Sequence, residues 1–312
     1  MAEDELMIAE QIDMDDQRAH IPVMQKEVLE HLNLLPGSCV VDCTLGAGGH
    51  ALEILKTIGQ NGQYVGIDRD GESLEYAKER LKNFSSQCRF VKSDFRHVDE
   101  VLASLKIFEI DGILLDLGIS SYQLENPERG FSIKSEGPLD MRMDQESYIS
   151  AYDLVNSLPE KEISSILKNF GEERWHHRIA AYLVRERARN PIETTRDLRE
   201  VVLKAIPRRF QNEKIHPATR TFQAFRIAVN RELEALEMTL EKGVEYLKDK
   251  ARICVISFHS LEDRIVKEKF RNFSKSGTLR LITKKPLEPS AEEAGRNPRA
   301  RSAKLRVAER TK

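Results

Sequence analysis

Val40-Val41-Asp42-Cys43-Thr44-Leu45-Gly46-Ala47-Gly48-Gly49-His50 decides how the chain is read. Two valines run into an acid and three glycines crowd the next turn. Ala51-Leu52-Glu53-Ile54-Leu55-Lys56 then reads as a helix. Strand, glycine loop and helix open a nucleotide-binding α/β unit. Glycines suit such a loop because the backbone turns tightly and a ligand comes close to it, and a Cβ obstructs both. The first N–H groups of the following helix are left to meet polar ligand atoms. A second apolar run, Tyr64-Val65-Gly66-Ile67-Asp68, ends in another acid, 22 positions after Gly46. About 20 is the spacing of an acid that accepts hydrogen bonds from ribose hydroxyls.

A nicotinamide-dinucleotide loop usually starts directly at the strand end. Here Asp42 stands four positions before Gly46, and Asp-x-x-x-Gly-x-Gly-Gly resembles the first motif of class I S-adenosylmethionine-dependent methyltransferases. That cofactor has no pyrophosphate but carries an ammonium group, which an acid near the loop helps to hold. Gly46, Gly48 and Ala51 also satisfy a loose Gly-x-Gly-x-x-Gly/Ala template, so a nicotinamide-dependent oxidoreductase stays as an alternative.

With 312 residues, the chain is long enough for a large core and two domains. Hydrophobic residues are 40% and charged residues 32%, a soluble globular composition. No apolar run approaches the roughly 20 residues that span a bilayer, and no secretory signal is visible, so a cytoplasmic protein without membrane contact is expected. Cys39, Cys43, Cys88 and Cys254 lie in or beside apolar runs and form no Cys-x-x-Cys pair. Buried thiols are expected, with no disulfide or zinc. The net charge of −2 points to no partner, but its distribution is uneven. The first residues are acidic, and the last stretch carries Arg299, Arg301, Lys304 and Arg306. A basic end fits a nucleic-acid contact or a solvated, salt-bridged surface equally.

Residues 1–18 are expected to be a disordered acidic N-terminus. From there strands near 39–42, 64–68, 89–95 and 110–118 alternate with helices. Such alternation predicts a Rossmann-like, doubly wound, mostly parallel sheet with right-handed crossovers. The rhythm breaks after 118. Helical segments at 152–158, 160–170, 173–189 and 195–205 follow with no strand between them, so 126–217 reads as a helical insertion. One long amphipathic helix over 221–247 restores the alternation. Strands near 252–258, 279–283 and 304–308 complete a seven-stranded sheet. The sheet domain is therefore 19–125 plus 218–312.

In an open α/β sheet ligands sit beyond the carboxyl ends of the strands. Gly46–His50, Asp68, Asp94-Phe95, Asp116–Gln123 and Ser257–Ser260 fall there. Phe95 either stacks on a purine or packs its own loop. Asp116 ends an apolar strand, where an unpaired carboxylate is costly, so it either caps or contacts a ligand.

Longer motifs narrow the function. Asp111-Gly112-Ile113-Leu114-Leu115-Asp116-Leu117-Gly118-Ile119-Ser120-Ser121 resembles the bacterial 16S ribosomal RNA (cytosine-N4) methyltransferases. So do Glu128-Arg129-Gly130-Phe131-Ser132 and Gly137-Pro138-Leu139-Asp140-Met141-Arg142-Met143-Asp144. His216-Pro217-Ala218-Thr219-Arg220-Thr221-Phe222-Gln223-Ala224, Ile256-Ser257-Phe258-His259-Ser260-Leu261-Glu262-Asp263-Arg264 and Asn297-Pro298-Arg299-Ala300-Arg301-Ser302 match as well. The resemblance spans about residues 20–312. It implies an enzyme that methylates the exocyclic N4 of a decoding-site cytidine in 16S ribosomal RNA, within the small ribosomal subunit. It also implies S-adenosyl-L-methionine as cofactor, held by Gly48, Gly49, His50, Asp68, Phe95, Asp116 and Gln123.

Many amino-methyltransferases carry Asp/Asn-Pro-Pro-aromatic after the fourth strand, and this chain reads Asp116-Leu117-Gly118-Ile119 instead. The lone pair of a cytosine amine is delocalised into the ring, so acceptors must hold its hydrogens while the nitrogen pyramidalises. Asp116, Asp140, Ser257 and His259 are the candidates for that catalytic work. No metal is required, because a sulfonium already activates the methyl. A non-catalytic RNA-binding protein on a retained methyltransferase fold is the second alternative. Calorimetry separates the enzyme classes. S-adenosylhomocysteine should bind and a nicotinamide dinucleotide should not, and the reverse pattern would contradict the methyltransferase reading.

Overall fold

Asp42 and Asp116 end two neighbouring strands because the sheet reverses its winding between them. The computed structural model describes residues 22–211 and 215–311. The acidic start over 1–18 lies outside the described residues. The chain divides into two compact units, one running to Gly118 and resuming at Met238, the other Ile119–Glu237.

The first unit holds a seven-stranded sheet in the order β3-β2-β1-β4-β5-β7-β6. The strands are β1 (Cys39–Asp42), β2 (Gln63–Asp68), β3 (Cys88–Lys92), β4 (Ile110–Asp116), β5 (Leu247–Ser257), β6 (Leu279–Leu281) and β7 (Lys304–Arg310). β1 to β5 pair in parallel, whereas β7 runs antiparallel to both of its neighbours. The order moves from β1 through β2 to β3 on one side and through β4 and β5 on the other. The switch point, where such sheets take their ligands, therefore lies between β1 and β4. The central strands are near-continuous apolar runs, as expected of strands covered on both faces. Around them pack α1 (Gln25–Leu32), α2 (Gly49–Ile58), α3 (Gly71–Arg80) and α4 (Val98–Ser104). All four cysteines are buried and unpaired, and burial pushes the Cys39 and Cys88 thiols up to about 11.

The second unit is built from α5 (Ser121–Glu125), α6 (Ala151–Ser157), α7 (Glu160–Gly171), α8 (His176–Arg187), α9 (Thr195–Ala205) and α10 (Thr219–Asn230). It has its own apolar core, which includes Phe131, Leu139, Ile163, Leu183, Val202 and Phe225. Its motif residues lock one another. Arg129 is 1% exposed and donates to the Arg142 and Met143 carbonyls at 3.1 and 2.8 Å. A buried guanidinium is tolerable only when its protons are so used. Asn230 donates to the Met141 carbonyl and accepts from the Met143 N–H, both at 2.8 Å. Gly171 lets α7 approach α10 closely, because a Cβ there would sit 2.5 Å from the Arg220 carbonyl oxygen.

Two expectations need correction. The single helix over 221–247 is two, α10 and α11 (Glu232–Val244), broken at Arg231. Arg231 has φ 49°, a left-handed backbone that no helix continues through, and the Arg226 guanidinium spans the break to Glu232 at 2.9 Å. β5 begins at Leu247, five residues before the apolar run, with a register irregularity opposite Ile110–Gly112 and φ 63° at Lys250. The unit boundaries at 118 and 237 thus lie earlier and later than the 126 and 217 read from sequence rhythm.

Gly130 tests the motif lock. Its φ is +71°, and a Cβ would meet the Pro138 carbonyl oxygen at 2.3 Å and the Asp140 nitrogen at 2.7 Å, both rigid backbone. Gly130→Ala should destabilise the helical unit by about 2 kcal/mol or more. Thermal unfolding followed by the fluorescence of the sole tryptophan, Trp175, reads this directly. An unchanged midpoint would contradict it.

Candidate active site

The glycine loop is held by the two strand-end acids beside it. Asp42 is 1% exposed. Its Oδ2 accepts from the Tyr64 hydroxyl at 2.7 Å and its Oδ1 from the Thr44 N–H at 3.0 Å. Burial pushes the Asp42 carboxyl above its ordinary range, against the lowering effect of those two donors. Asp42 is therefore a loop anchor, not the holder of an ammonium group. Thr44 passes the tie onward, its Oγ1 accepting from the Asp116 N–H at 2.6 Å. The end of β1 and the end of β4 are fixed to each other through one hydroxyl.

Asp68 explains its own spacing. Its Oδ2 accepts from the Gly46 N–H at 2.8 Å and its Oδ1 from the Asp70 N–H at 2.9 Å. The acid at the tip of β2 thus fixes the loop after β1, and each oxygen keeps a second lone pair for a hydroxyl. Burial pushes the Asp68 carboxyl up to about 6 despite those two donors.

The glycines have separable reasons. Gly46 and Gly48 adopt φ of 51° and 74°, and Gly48 precedes α2 in a left-handed conformation. Gly49 is required by the protein itself, since a Cβ would lie 2.6 Å from Cγ of Pro22. His50 follows in the first turn of α2, 7% exposed. Its Nε2 is 3.6 Å from Asp116 Oδ2. His50 Nε2 and Asp116 Oδ1 are both buried without a hydrogen-bond partner among the described residues. A buried polar atom left in that state costs about 1–3 kcal/mol, and a ligand group that reaches it relieves the cost.

Phe95 stands after β3 with one face taken. The Arg69 guanidinium is 5.3 Å from the ring centroid, and Arg69 also approaches Asp94 at 3.3 Å. Burial pushes the Asp94 carboxyl up, but Arg69 and Arg96 outweigh it and hold it below the usual range. The ring is thereby fixed at the edge of the sheet with Arg69 over it.

The remaining candidates sort by what already engages them. Ser257 is 2% exposed and donates to the Lys304 carbonyl at 3.3 Å, a strand-pairing task. His259 caps α12 (Ser260–Lys275) by accepting from the Glu262 N–H at Nδ1. In the helical unit Asp140 is clasped by Arg142, whose Nε and Nη2 donate to its two oxygens at 2.9 and 2.7 Å. Gln123 is 4% exposed and its Oε1 accepts from the Ser120 N–H, closing a capping box at α5. Of the four catalytic candidates, Asp116 alone keeps a carboxylate oxygen without a donor among the described residues.

A sequence profile described as the MraW methylase family matches residues 17–311. The chain belongs to that family. It is 48% identical over 303 residues to the ribosomal RNA small subunit methyltransferase H of Clostridium botulinum (strain Kyoto / Type A2), across 92% of this chain and 97% of the relative. It is 49% identical over 306 residues to the protein of that name from Trichlorobacter lovleyi, across 93% and 98%. Among solved structures, a SAM-dependent O-methyltransferase from Thermotoga maritima covers 96% of this chain and 69% of its own at TM-score 0.43 and 9% identity.

Sequence reasoning did not single out three residues that hold these acids and the Phe95 ring. Thr44, Tyr64 and Arg69 carry no motif signal. Only their positions beside Asp42 and Asp68, and the cost of burying a carboxylate without donors, mark them out. Among the described residues no helix is long and apolar enough to cross a membrane.

The raised Asp68 carboxyl gives a pH test. The free protein keeps Asp68 protonated up to about pH 6, whereas hydroxyl donation favours the ionised form. Cofactor affinity should therefore rise with pH through about 6 and level off above it, by at most about tenfold per pH unit. Calorimetry with S-adenosylhomocysteine between pH 5 and 8 measures this. Asp68→Asn should bind weakly with no such dependence, and an unchanged pH profile in that variant would remove Asp68 from the ligand.

Proposed function

We propose that this chain transfers a methyl group from S-adenosyl-L-methionine to the exocyclic N4 of a cytidine in the decoding region of 16S ribosomal RNA. The observation that carries the chemistry is Asp116 at the switch point of the sheet: its Oδ1 is buried without a hydrogen-bond partner among the described residues, while its Oδ2 lies 3.6 Å from His50 Nε2. Relatives named for small-subunit ribosomal RNA methylation, at close to half identity over nearly the whole chain, support the substrate class.

The loop residues fit the cofactor. Gly48 and Gly49 offer backbone without side chains, Asp68 offers lone pairs to ribose hydroxyls, and Phe95 offers an aromatic face to adenine. His50, Asp116 and Gln123 complete the proposed cofactor set. When bound, the cofactor supplies an electrophilic methyl on a sulfonium.

The chain's own work is to present the amine. Asp116 Oδ1 accepts an N–H of the exocyclic amine and holds the nitrogen lone pair in line with the methyl. The Thr44 hydroxyl fixes the Asp116 backbone, so the acceptor does not drift. When the methyl passes from the sulfonium, whose S–C bond breaks to leave S-adenosylhomocysteine, Asp116 Oδ1 would take the proton that the methylated nitrogen gives up. Most of the acceleration comes from that positioning. Ser257 and His259 are occupied by the hydrogen bonds they already make, as Asp140 is by Arg142.

The helical unit is the proposed RNA-holding part. Arg178 and Arg185 flank the Tyr182 ring at 5.5 and 4.2 Å on α8, a cationic and aromatic face suited to unpaired RNA. Arg187 has a different task, donating to the Val155 and Leu158 carbonyls at 2.6 and 2.7 Å. At the C-terminal end the structure redirects Arg306. It is 8% exposed and bonds Asp263 through Nε at 2.6 Å and Nη2 at 3.1 Å, so it is not a phosphate contact.

Incubating the protein with radiolabelled S-adenosylmethionine and purified, unmodified small subunits should place label on the N4 of one cytidine, mapped by mass spectrometry. Asp116→Asn should cut the transfer rate by roughly a hundredfold or more, since an acceptor aimed at developing charge is lost. Label on a ring carbon, on another base or on no RNA would contradict the proposal.

A further inference from the structure

The motif His216-Pro217-Ala218-Thr219-Arg220 takes no part in the chemistry above. Its His216, Pro217 and Arg220, with Glu173-Arg174-Trp175, line a pocket of about 330 Å³, whose lining residues all belong to the helical unit. The volume lies at the low end of small-ligand sites, roughly 300–1,000 Å³, and suits a single nucleotide. We propose that this pocket takes an unpaired nucleotide of the substrate RNA, one that is held for position and is not methylated. The proposal rests on the reading of the helical unit as the RNA-holding part.

Ring geometry comes first. Trp175 and Phe210 stand 5.3 Å apart at 46°, so their faces splay open and do not stack on each other. The Arg174 guanidinium lies 4.6 Å from the Phe210 centroid and 5.5 Å from that of Trp175, and Arg209 lies 4.8 Å from Phe210 on its own account. Two aromatic rings set among guanidinium groups make a platform on which any base stacks and beside which its phosphate is neutralised. Arg220 adds a further cation at the same pocket, tied to the Glu172 carbonyl at 3.0 Å.

Hydrogen-bond donors come second. The Trp175 indole Nε1 is buried without a partner among the described residues, so an acceptor on a base edge has an unmet donor to reach. His216 Nδ1 accepts from the Ala218 N–H at 3.2 Å, which leaves Nε2 as the donor of a neutral ring. Burial and then Arg199 hold the His216 pKa below its ordinary value, in keeping with that neutral form. None of the proposed methyl-donor contacts lines the pocket, so the nucleotide it holds is recognised and not modified. A protein partner is the competing occupant, but cations set around aromatic rings favour a polyanion with stacking bases.

Trp175 is the sole tryptophan, so its fluorescence reports on this pocket alone. The full chain is titrated with an unpaired hexaribonucleotide and, separately, with nucleoside monophosphates. The expected result is saturable quenching. Arg174→Gln and Phe210→Leu should each weaken the oligonucleotide about tenfold. Both should raise KM for small subunits while leaving kcat and S-adenosylhomocysteine affinity within about twofold. If Phe210→Leu fails to fold, Arg174→Gln, a change at an exposed side chain, carries the test. Absence of quenching by RNA, or unchanged RNA affinity in the folded variants, overturns the proposal and leaves a protein contact as the pocket's occupant. Quenching without methyl transfer keeps the pocket and removes the enzymatic reading. Methyl transfer without quenching does the reverse.

Discussion

A carboxylate buried at the end of a strand must find donors, and that constraint organises the ligand edge of the sheet. Asp42 takes the Tyr64 hydroxyl and the Thr44 N–H, and Asp68 takes the Gly46 and Asp70 N–H groups. An unmet donor or acceptor costs about 1–3 kcal/mol, more for a charge, so these bonds dictate where the loop between β1 and α2 lies. The glycines then follow from the path. Gly46 and Gly48 turn through positive φ, and Gly49 clears Pro22. Asp116 is the exception. Among the described residues its Oδ1 is buried without a hydrogen-bond partner, while its Oδ2 lies 3.6 Å from His50 Nε2. Asp42 and Asp68 are satisfied by the protein, and Asp116, which is not, is the acid proposed to meet the substrate.

The same logic separates structure from function in the motifs. Arg129, Gly130, Met141, Met143 and Asn230 look functional in sequence because their pattern is rare, yet they tie one another inside the helical unit. Arg306 looks like a phosphate contact by charge and position, yet it is paired with Asp263. In contrast Arg174 and Trp175 fall within the helical segment 173–189 in sequence, and the approach of Phe210 gives them a binding geometry.

How much was legible follows from the range of each interaction. The alternation of strands and helices and the glycine loop are short-range patterns, and that alternation leaves few topologies. The Gly46–Asp68 interval was readable because one hydrogen bond fixes it. The break at Arg231 was not, because 221–247 keeps helical periodicity through it; the left-handed residue is flanked by Asn230 and Glu232, which bond to partners the sequence does not reveal. Nor was the anchoring role of Asp42, since an acid before a glycine loop reads the same whether a ligand or a tyrosine across the sheet takes its oxygens.

The central claim is that the strand-end acids divide their labour, with Asp42 anchoring the loop, Asp68 holding ribose and Asp116 facing the reacting amine. A crystal structure with S-adenosylhomocysteine and cytidine tests it most directly. The account predicts ribose hydroxyls within hydrogen-bond distance of Asp68, Asp42 still bonded to Tyr64 and Thr44, and the cytidine amine against Asp116 Oδ1. A ligand bonded to Asp42, or a cytidine amine held by Asp140, Ser257 or His259 and away from Asp116, would contradict it.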